Sequence, residues 1–352
     1  MAENKELLSW AGNQSNIVTG EGKLNKVLIP ERDFDATDLP HHYKLEQKID
    51  KMFKSWIMDG FRSSLIVGAW TRPVFVGGWS ESGSWDTDVF NIQTPSLFID
   101  LRFPKSRIDF SSKSDYGELS DLELRYLAQQ HCFAGYTLIR DIEVEKILVP
   151  VATRHHAIDW NFHPDFPRLR PNRWRIELNS EESSFKEWCF ANDEFGQAIY
   201  MERWTKLAES GGPHLAMKKK GDRIAILCIC GNHFGYALDR REPLPSFAGA
   251  KGGGCAGLVD FAIQQKNRQK AIQMLSLEGS YGKIKDEHGN VNWKVLKSTI
   301  PWKENKPLIQ NGDIEFKGNN IVWGNETWEV LENSFTTREL REIFYQISRS
   351  RL

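Results

Sequence analysis

Along most of the chain, apolar residues alternate with polar ones in short runs, the period of a strand with one buried face. The clearest run, "PSLFIDLRF" (95–103), sets Leu97, Ile99, Leu101 and Phe103 on one face and Phe98, Asp100 and Arg102 on the other. Comparable runs recur as "RPVFVGGW", "GYTLIRDIEVEKILV", "RHHAIDWNF", "NRWRIEL", "FKEWCF", "AIYMERWTKL", "RIAILCICG", "KAIQMLSLEG", "NVNWKVLKSTI" and "TWEVLE". "CGNHF" and "KGNNI" supply glycine and asparagine where hairpin turns need positive φ. With about fourteen such runs, the pattern exceeds one small barrel and predicts a mainly β chain built from two antiparallel barrels or sandwiches. The first is expected over 63–185 and the second over 186–335, with the seam near 180–197.

Only three stretches carry a helical period. In the extension 1–62, the residues Leu45, Ile49, Met52, Phe53, Trp56 and Ile57 repeat at helix spacing over 44–61. Ser120 with Glu123 has the spacing of a capping box and opens a short helix that is expected to stop near "CFAG". Thr336 with Glu339 opens another in 336–352, with Leu340, Ile343, Phe344 and Ile347 on its apolar face.

Composition narrows the class of protein more than it names a function. With 46 basic and 47 acidic residues the net charge is −1, so no global basic field attracts nucleic acid or an anionic membrane. The run "MKKKGD" at Lys218–Lys220 is read as a solvated turn. No apolar run approaches the roughly 20 residues of a membrane span. The start "MAENKELLSW" lacks a basic stretch followed by an apolar core, which predicts no secretory signal and a cytoplasmic protein. The five cysteines, Cys132, Cys189, Cys228, Cys230 and Cys255, are then expected as free thiols. Thirteen tryptophans and twenty phenylalanines suit pleated surfaces and the walls of ligand cavities.

Candidate chemistry lies in four places. The Asp100–Arg102 pair matters if its face lines a barrel, because buried charges need partners. In "RHHAIDWNF" strict alternation places Arg154, His156, Ile158 and Trp160 on one face and His155, Ala157 and Asp159 on the other. His155 and Asp159 are then about 13 Å apart along the strand, too far for a dyad or for one metal ion. A single histidine working with a carboxylate from a neighbouring strand is chemically easier. In "YMERWTKL", Glu202 shares a face with Tyr200 and Trp204, where desolvation raises a carboxylate toward the range of a general acid. "LAQQHCFAG" sets Gln130 and His131 at a helix end, and His131 and Cys132 point apart, against a Cys–His nucleophile. The glycine-rich "GAKGGGCAG" has no Lys-Ser or Lys-Thr after its glycines, as a phosphate-binding loop would, and is read as a loop at a barrel mouth. No G-x-S-x-G, H-E-x-x-H, C-x-x-C or kinase set is present.

Taken together, "WSESGSWDTDVFNIQTPSLFIDLRFP", "LAQQHCFAGYT", "TRHHAIDWNFHP" and "YMERWTKL" resemble a lipocalin-like (calycin-type) family of bacterial and fungal proteins, over about residues 75–210. The chain departs from that family's pattern at Arg154, where a tryptophan is expected, and at "WNFHP". The resemblance implies two lipocalin-like halves and a lumen holding a small hydrophobic or aromatic molecule. Its polar points would be Gln93, Asp100, Arg102, Gln130, His155, Asp159 and Glu202, within an aromatic wall that includes Phe133, Trp160, Tyr200 and Trp204. The expectation is a cofactor-independent isomerase, cyclase or lyase, with no metal and with His155, Glu202 and Asp159 as acid–base groups. A non-catalytic carrier of the same ligand, or an interaction scaffold docking a partner through its helices, are the alternatives.

Overall fold

The computed structural model describes residues 65–77, 87–144, 147–161, 172–188, 200–221, 223–242, 244–245, 254–309 and 314–345. The helix expected over 44–61, the rest of the 1–62 extension and Cys189 lie outside these residues.

Eight antiparallel strands in sequence order close a barrel: β1 (Gly68–Gly77), β2 (Thr87–Gln93), β3 (Leu97–Pro104), β4 (His131–Val144), β5 (Ile147–Asp159), β6 (Asn172–Leu178), β7 (Ser184–Trp188) and β8 (Tyr200–Lys206). β8 returns to β1, with Phe75 opposite Glu202. β7 and β8 therefore belong to the first unit, and the seam read near 180–197 falls inside the barrel. The chain crosses instead at 207–213, between β8 and β9 (His214–Lys220).

Strands β9, β10 (Ala225–Cys230), β11 (His233–Leu238), β12 (Glu278–Lys285), β13 (Val291–Ser298), β14 (Ile314–Lys317), β15 (Asn320–Trp323) and β16 (Glu326–Asn333) form a second sheet. Its order is β13-β12-β11-β10-β9-β16-β15-β14, so β13 and β14 are its edges. The hairpins at "CGNHF" and "KGNNI" turn on Gly231 and Gly318, both at φ 57°. Helix α1 (Asp121–Ala128) begins on the capping box of Ser120 and Glu123 and ends before His131, where β4 starts. Helices α2 (Gly254–Gln264) and α3 (Arg268–Met274) were not legible in the sequence; "KAIQM", read as strand, is the end of α3. Helix α4 (Thr337–Tyr345) follows the second capping pattern, in which Glu339 accepts from the Thr336 N–H at 2.8 Å.

The alternation of β3 is kept. Leu97, Ile99, Leu101 and Phe103 sit on the outer wall in a core shared with Ile226, Cys228 and Cys230 of β10 and with α1, α2 and α3. At roughly 1.5–3 kcal/mol for each fully buried large side chain, this seam binds barrel and sheet into one folding unit. β10 is buried on both faces, because Ala225, Leu227 and Ile229 enter a separate core with Trp293, Trp328 and Phe344. The two layers approach closely at Gly279, where a Cβ would stand 2.5 Å from Leu101 and 2.6 Å from the Cys132 sulfur. Cys132, Cys228, Cys230 and Cys255 are free and buried, and burial pushes each thiol up and away from reactivity. Among the described residues no helix is long and apolar enough to cross a membrane.

Candidate functional site

If one face of β2–β5 packs against the second sheet, the other must face the barrel axis. Contacts between strands that are not neighbours confirm it. Arg102 on β3 comes within 3.9 Å of Glu202 on β8, and Arg154 on β5 pairs with Glu187 on β7 at 2.7 Å. Phe98 on β3 meets His156 on β5 with ring centroids 5.6 Å apart. Phe98 and His156 meet over Gly135 on the strand between them, whereas Arg102 and Glu202, three strands apart in a closed barrel, can meet only inside the lumen.

The far end of the lumen is filled by Trp70, Phe75, Val89, Ile139, Trp174, Ile176, Phe185 and Trp204. The other part is charged. Arg72 pairs with Glu202, Arg102 forks onto Asp100 at 2.8 and 3.3 Å, and Arg154 holds Glu187. Each guanidinium also lies over a phenyl ring: Arg72 over Phe75 at 5.1 Å, Arg102 over Phe133 at 5.5 Å, and Arg154 over Phe98 at 5.4 Å. The Arg72 and Arg154 pairs are dry, whereas the Arg102 side chain keeps 24% of its surface in solvent and marks the mouth.

These fields divide the carboxylates. Burial opposes the charge on Asp100, but Arg102, Arg154 and Arg72 outweigh it and hold its pKa below the usual carboxylate value. Glu187 goes the other way: burial, reinforced by Glu202 and Asp100, pushes it up to about 7 despite Arg154. Glu187 and Glu202 are cross-strand partners, so the like charge that helps to raise Glu187 lies directly beside it. Trp204 donates its Nε1–H to Glu187 at 3.2 Å.

The mouth is organised by a bulge. β4 and β5 pair Ala134 with Ile158 and then Gly135 with His156, leaving Ala157 as the extra residue. Strict alternation is broken there. His156 joins Asp159 on the inner wall, and its Nδ1 lies 3.0 Å from Asp159 Oδ2. An ionised carboxylate can only accept, so Nδ1 carries the proton and Nε2 keeps the lone pair of a base. The bulge exists because residue 135 is glycine: a Cβ there would stand 1.9 Å from the His155 carbonyl oxygen and 2.8 Å from the Ala157 nitrogen.

The second layer braces this corner. Arg240, just past β11, donates to the Asp159 and Trp160 carbonyls at 3.0 and 2.6 Å and to Met274 at 2.7 Å. Asn161 gives its backbone N–H to Asp159 Oδ1 at 2.8 Å, and its side chain meets His131 Nδ1 at 2.8 Å. Burial, with Arg102 next to it, lowers the His131 pKa to about 4, so this imidazole is neutral at neutral pH.

Of the residues singled out from sequence, the structure brings Asp100, Arg102, Phe133, Asp159, Glu202 and Trp204 together on the inner wall. His155 is not with them. It pairs with Tyr136, which belongs to the outer core, and the bulge gives its expected place to His156. Trp160 is also outside, donating to the Ala128 carbonyl at 3.1 Å beneath Arg240. Gln130 lies between the layers, bound to Arg107, Leu127 and Thr299. Gln93 locks the β2–β3 turn through the Thr94 and Leu97 carbonyls and accepts from Thr137 at 2.9 Å. The Tyr200 side chain lies outside the described residues. Arg72 and Glu187 were missed, though "WTRPVF" and "SFKEW" each hide one charge on an apolar face. Among the described residues no group of three or more His, Cys, Asp or Glu side chains is placed to hold a metal ion.

No protein-family model matches the chain, and no curated protein matches it. Among solved structures it is similar to the uncharacterised protein YLR301w of Saccharomyces cerevisiae, at 14% identity and a TM-score of 0.45. That similarity covers 77% of this chain and 100% of the other. It is too distant to carry an argument.

Proposed function

We propose that the barrel is a cofactor-independent acid–base enzyme of the isomerase, cyclase or lyase type, acting on a small planar or aromatic molecule at the mouth of the lumen. One observation carries this reading: a histidine oriented by a carboxylate, His156 on Asp159 at 3.0 Å, beside the rings of Phe98 and Phe133. Phe133 lies 5.0 Å from the His156 ring and Phe98 5.6 Å, so two apolar ring faces stand beside the base. Asp159 does for His156 what a buried carboxylate does in any such pair, fixing the tautomer and balancing the imidazolium that forms. Arg102 with Asp100 supplies an orienting polar point at the same mouth. The resemblance to lipocalin-like proteins agrees with a ligand-holding lumen, and His156 replaces His155 as the acid–base group.

The test is turnover and binding across a panel of small aromatic aldehydes, ketones and acids, followed by mass spectrometry and tryptophan quenching. His156→Gln is expected to keep binding within about threefold and to lose turnover by roughly 10²–10⁴-fold, the usual contribution of a general base. Asp159→Asn is expected to fall between the two. Binding by the wild-type protein with no product from any compound contradicts catalysis and makes the barrel a carrier.

A further inference from the structure

The mouth holds a second imidazole, and its hydrogen bonds fix what it can do. The side-chain amide of Asn161 has two ends. Its Oδ1 accepts the backbone N–H of Cys255, in the first turn of α2, at 3.1 Å. Gly254 packs against the same group, since a Cβ there would be 2.5 Å from that oxygen. With Oδ1 committed to a donor, the end facing His131 is the NH2, and Nδ2 donates to His131 Nδ1 at 2.8 Å. A neutral imidazole that accepts at Nδ1 carries its proton at Nε2. His131 is therefore a locked hydrogen-bond donor rather than a base, and the second layer of the fold sets its tautomer.

His131 and Phe133 occupy successive inner positions of β4, with rings 5.9 Å apart, and Phe133 meets His156 on its other side. Around one phenyl ring the mouth thus carries two imidazoles of opposite tautomer, His156 with its proton on Nδ1 and His131 with its proton on Nε2. The surrounding charges are Arg102 and Asp100 from β3, Asp159 and Arg154 from β5, and Arg72 from β1. A neutral donor suits a developing enolate, because it stabilises the oxyanion without surrendering a proton to bulk water.

We propose that His131 is a second catalytic residue, the electrophile of an enolising site whose substrate is a small aryl aldehyde or ketone with an acidic C–H next to the carbonyl. This rests on the His156–Asp159 reading above. His156 Nε2 takes the α-proton, the C–H pair becomes the C=C bond, and the carbonyl π pair moves to oxygen, which accepts from His131 Nε2–H. The imidazolium of His156 then returns the proton to carbon, so the step is a balanced isomerisation or exchange and needs no oxidant.

Solvent exchange reads this step directly. Phenylacetaldehyde and 1-phenylpropan-2-one are incubated with the full chain in D2O, and loss of the benzylic proton signal is followed by NMR. The wild-type protein is expected to accelerate exchange. His131→Phe, which keeps a ring but has no donor, is expected to lose roughly 100-fold or more of that rate with a small change in half-saturation. His131→Gln, which keeps an N–H donor, is expected to recover most of it. Long-range 1H–15N spectra are expected to show His131 protonated at Nε2 and unchanged from pH 8 to pH 5. Three results overturn the proposal: no exchange in the wild-type protein, full exchange in His131→Phe, or a proton at Nδ1. Exchange that disappears in His156→Gln but survives in His131→Phe removes His131 alone, whereas exchange that survives in His156→Gln removes the base.

Discussion

Replacing Gly135 by alanine is expected to cost on the order of 4 kcal/mol or more, at the extreme of single substitutions. The methyl group would be built 1.9 Å from one backbone atom and 2.8 Å from another, and neither can rotate away as a side-chain tip could. Two escapes exist. The β4–β5 pair can open, which unties the barrel wall against the second sheet, or the bulge at Ala157 can be squeezed out. In the second case the residues beyond it slip by one, and every side chain changes face. Asp159 would leave the inner wall and the His156–Asp159 contact would be lost. Thermal unfolding and the near-ultraviolet signal of the tryptophans check this. Gly135→Ala melting within a few degrees of the wild-type protein, with turnover kept, contradicts the role given to the bulge.

The second large effect is expected at Arg72. This guanidinium is dry and holds Glu202, which is dry as well, in a part of the lumen already carrying Glu187 as its cross-strand neighbour. Arg72→Met removes this close partner, while Arg102 stands 3.9 Å from Glu202. Removing one member of a buried pair costs about 3–5 kcal/mol, because the remaining charge is desolvated without compensation. Adding Glu202→Gln to the same protein is expected to restore most of the loss, since both ions are then gone. Urea unfolding of the two single variants and the double variant measures the coupling. Full additivity, or an Arg72→Met protein within 1 kcal/mol of wild type, contradicts the buried pair.

What the sequence made legible follows from where strict periodicity holds. "PSLFIDLRF" alternates without interruption, so Asp100 and Arg102 could be set on one face from the sequence, whereas the inward direction of that face follows from barrel closure, a long-range event. Both capping boxes worked for the same local reason, since Ser120 with Glu123 and Thr336 with Glu339 need only their own turn. "RHHAIDWNF" failed because the event that re-phases it lies on another strand: Gly135 makes room for Ala157, and nothing within residues 153–161 announces it. The seam between the units was misplaced for a similar reason. β7 and β8 are strands by any reading, but closure on β1 is a long-range pairing. Helices α2 and α3 were passed over beside the glycine-rich "GAKGGGCAG", whose turn residues mask the helical period that starts at Gly254. Asn161 could not have been singled out, because its two partners arrive from β4 and α2.

Which of two adjacent histidines faces Asp159 defines the site, and one spectroscopic comparison decides it. Long-range 1H–15N spectra of the imidazoles are recorded at neutral pH for the wild-type protein and for Asp159→Asn. The expected result is a His156 ring protonated at Nδ1 in the wild-type protein, a signature that Asp159→Asn alters while His155 stays as it was. Should His155 respond to Asp159→Asn and His156 remain unchanged, β5 runs without its bulge and the site described here is not the one the barrel holds.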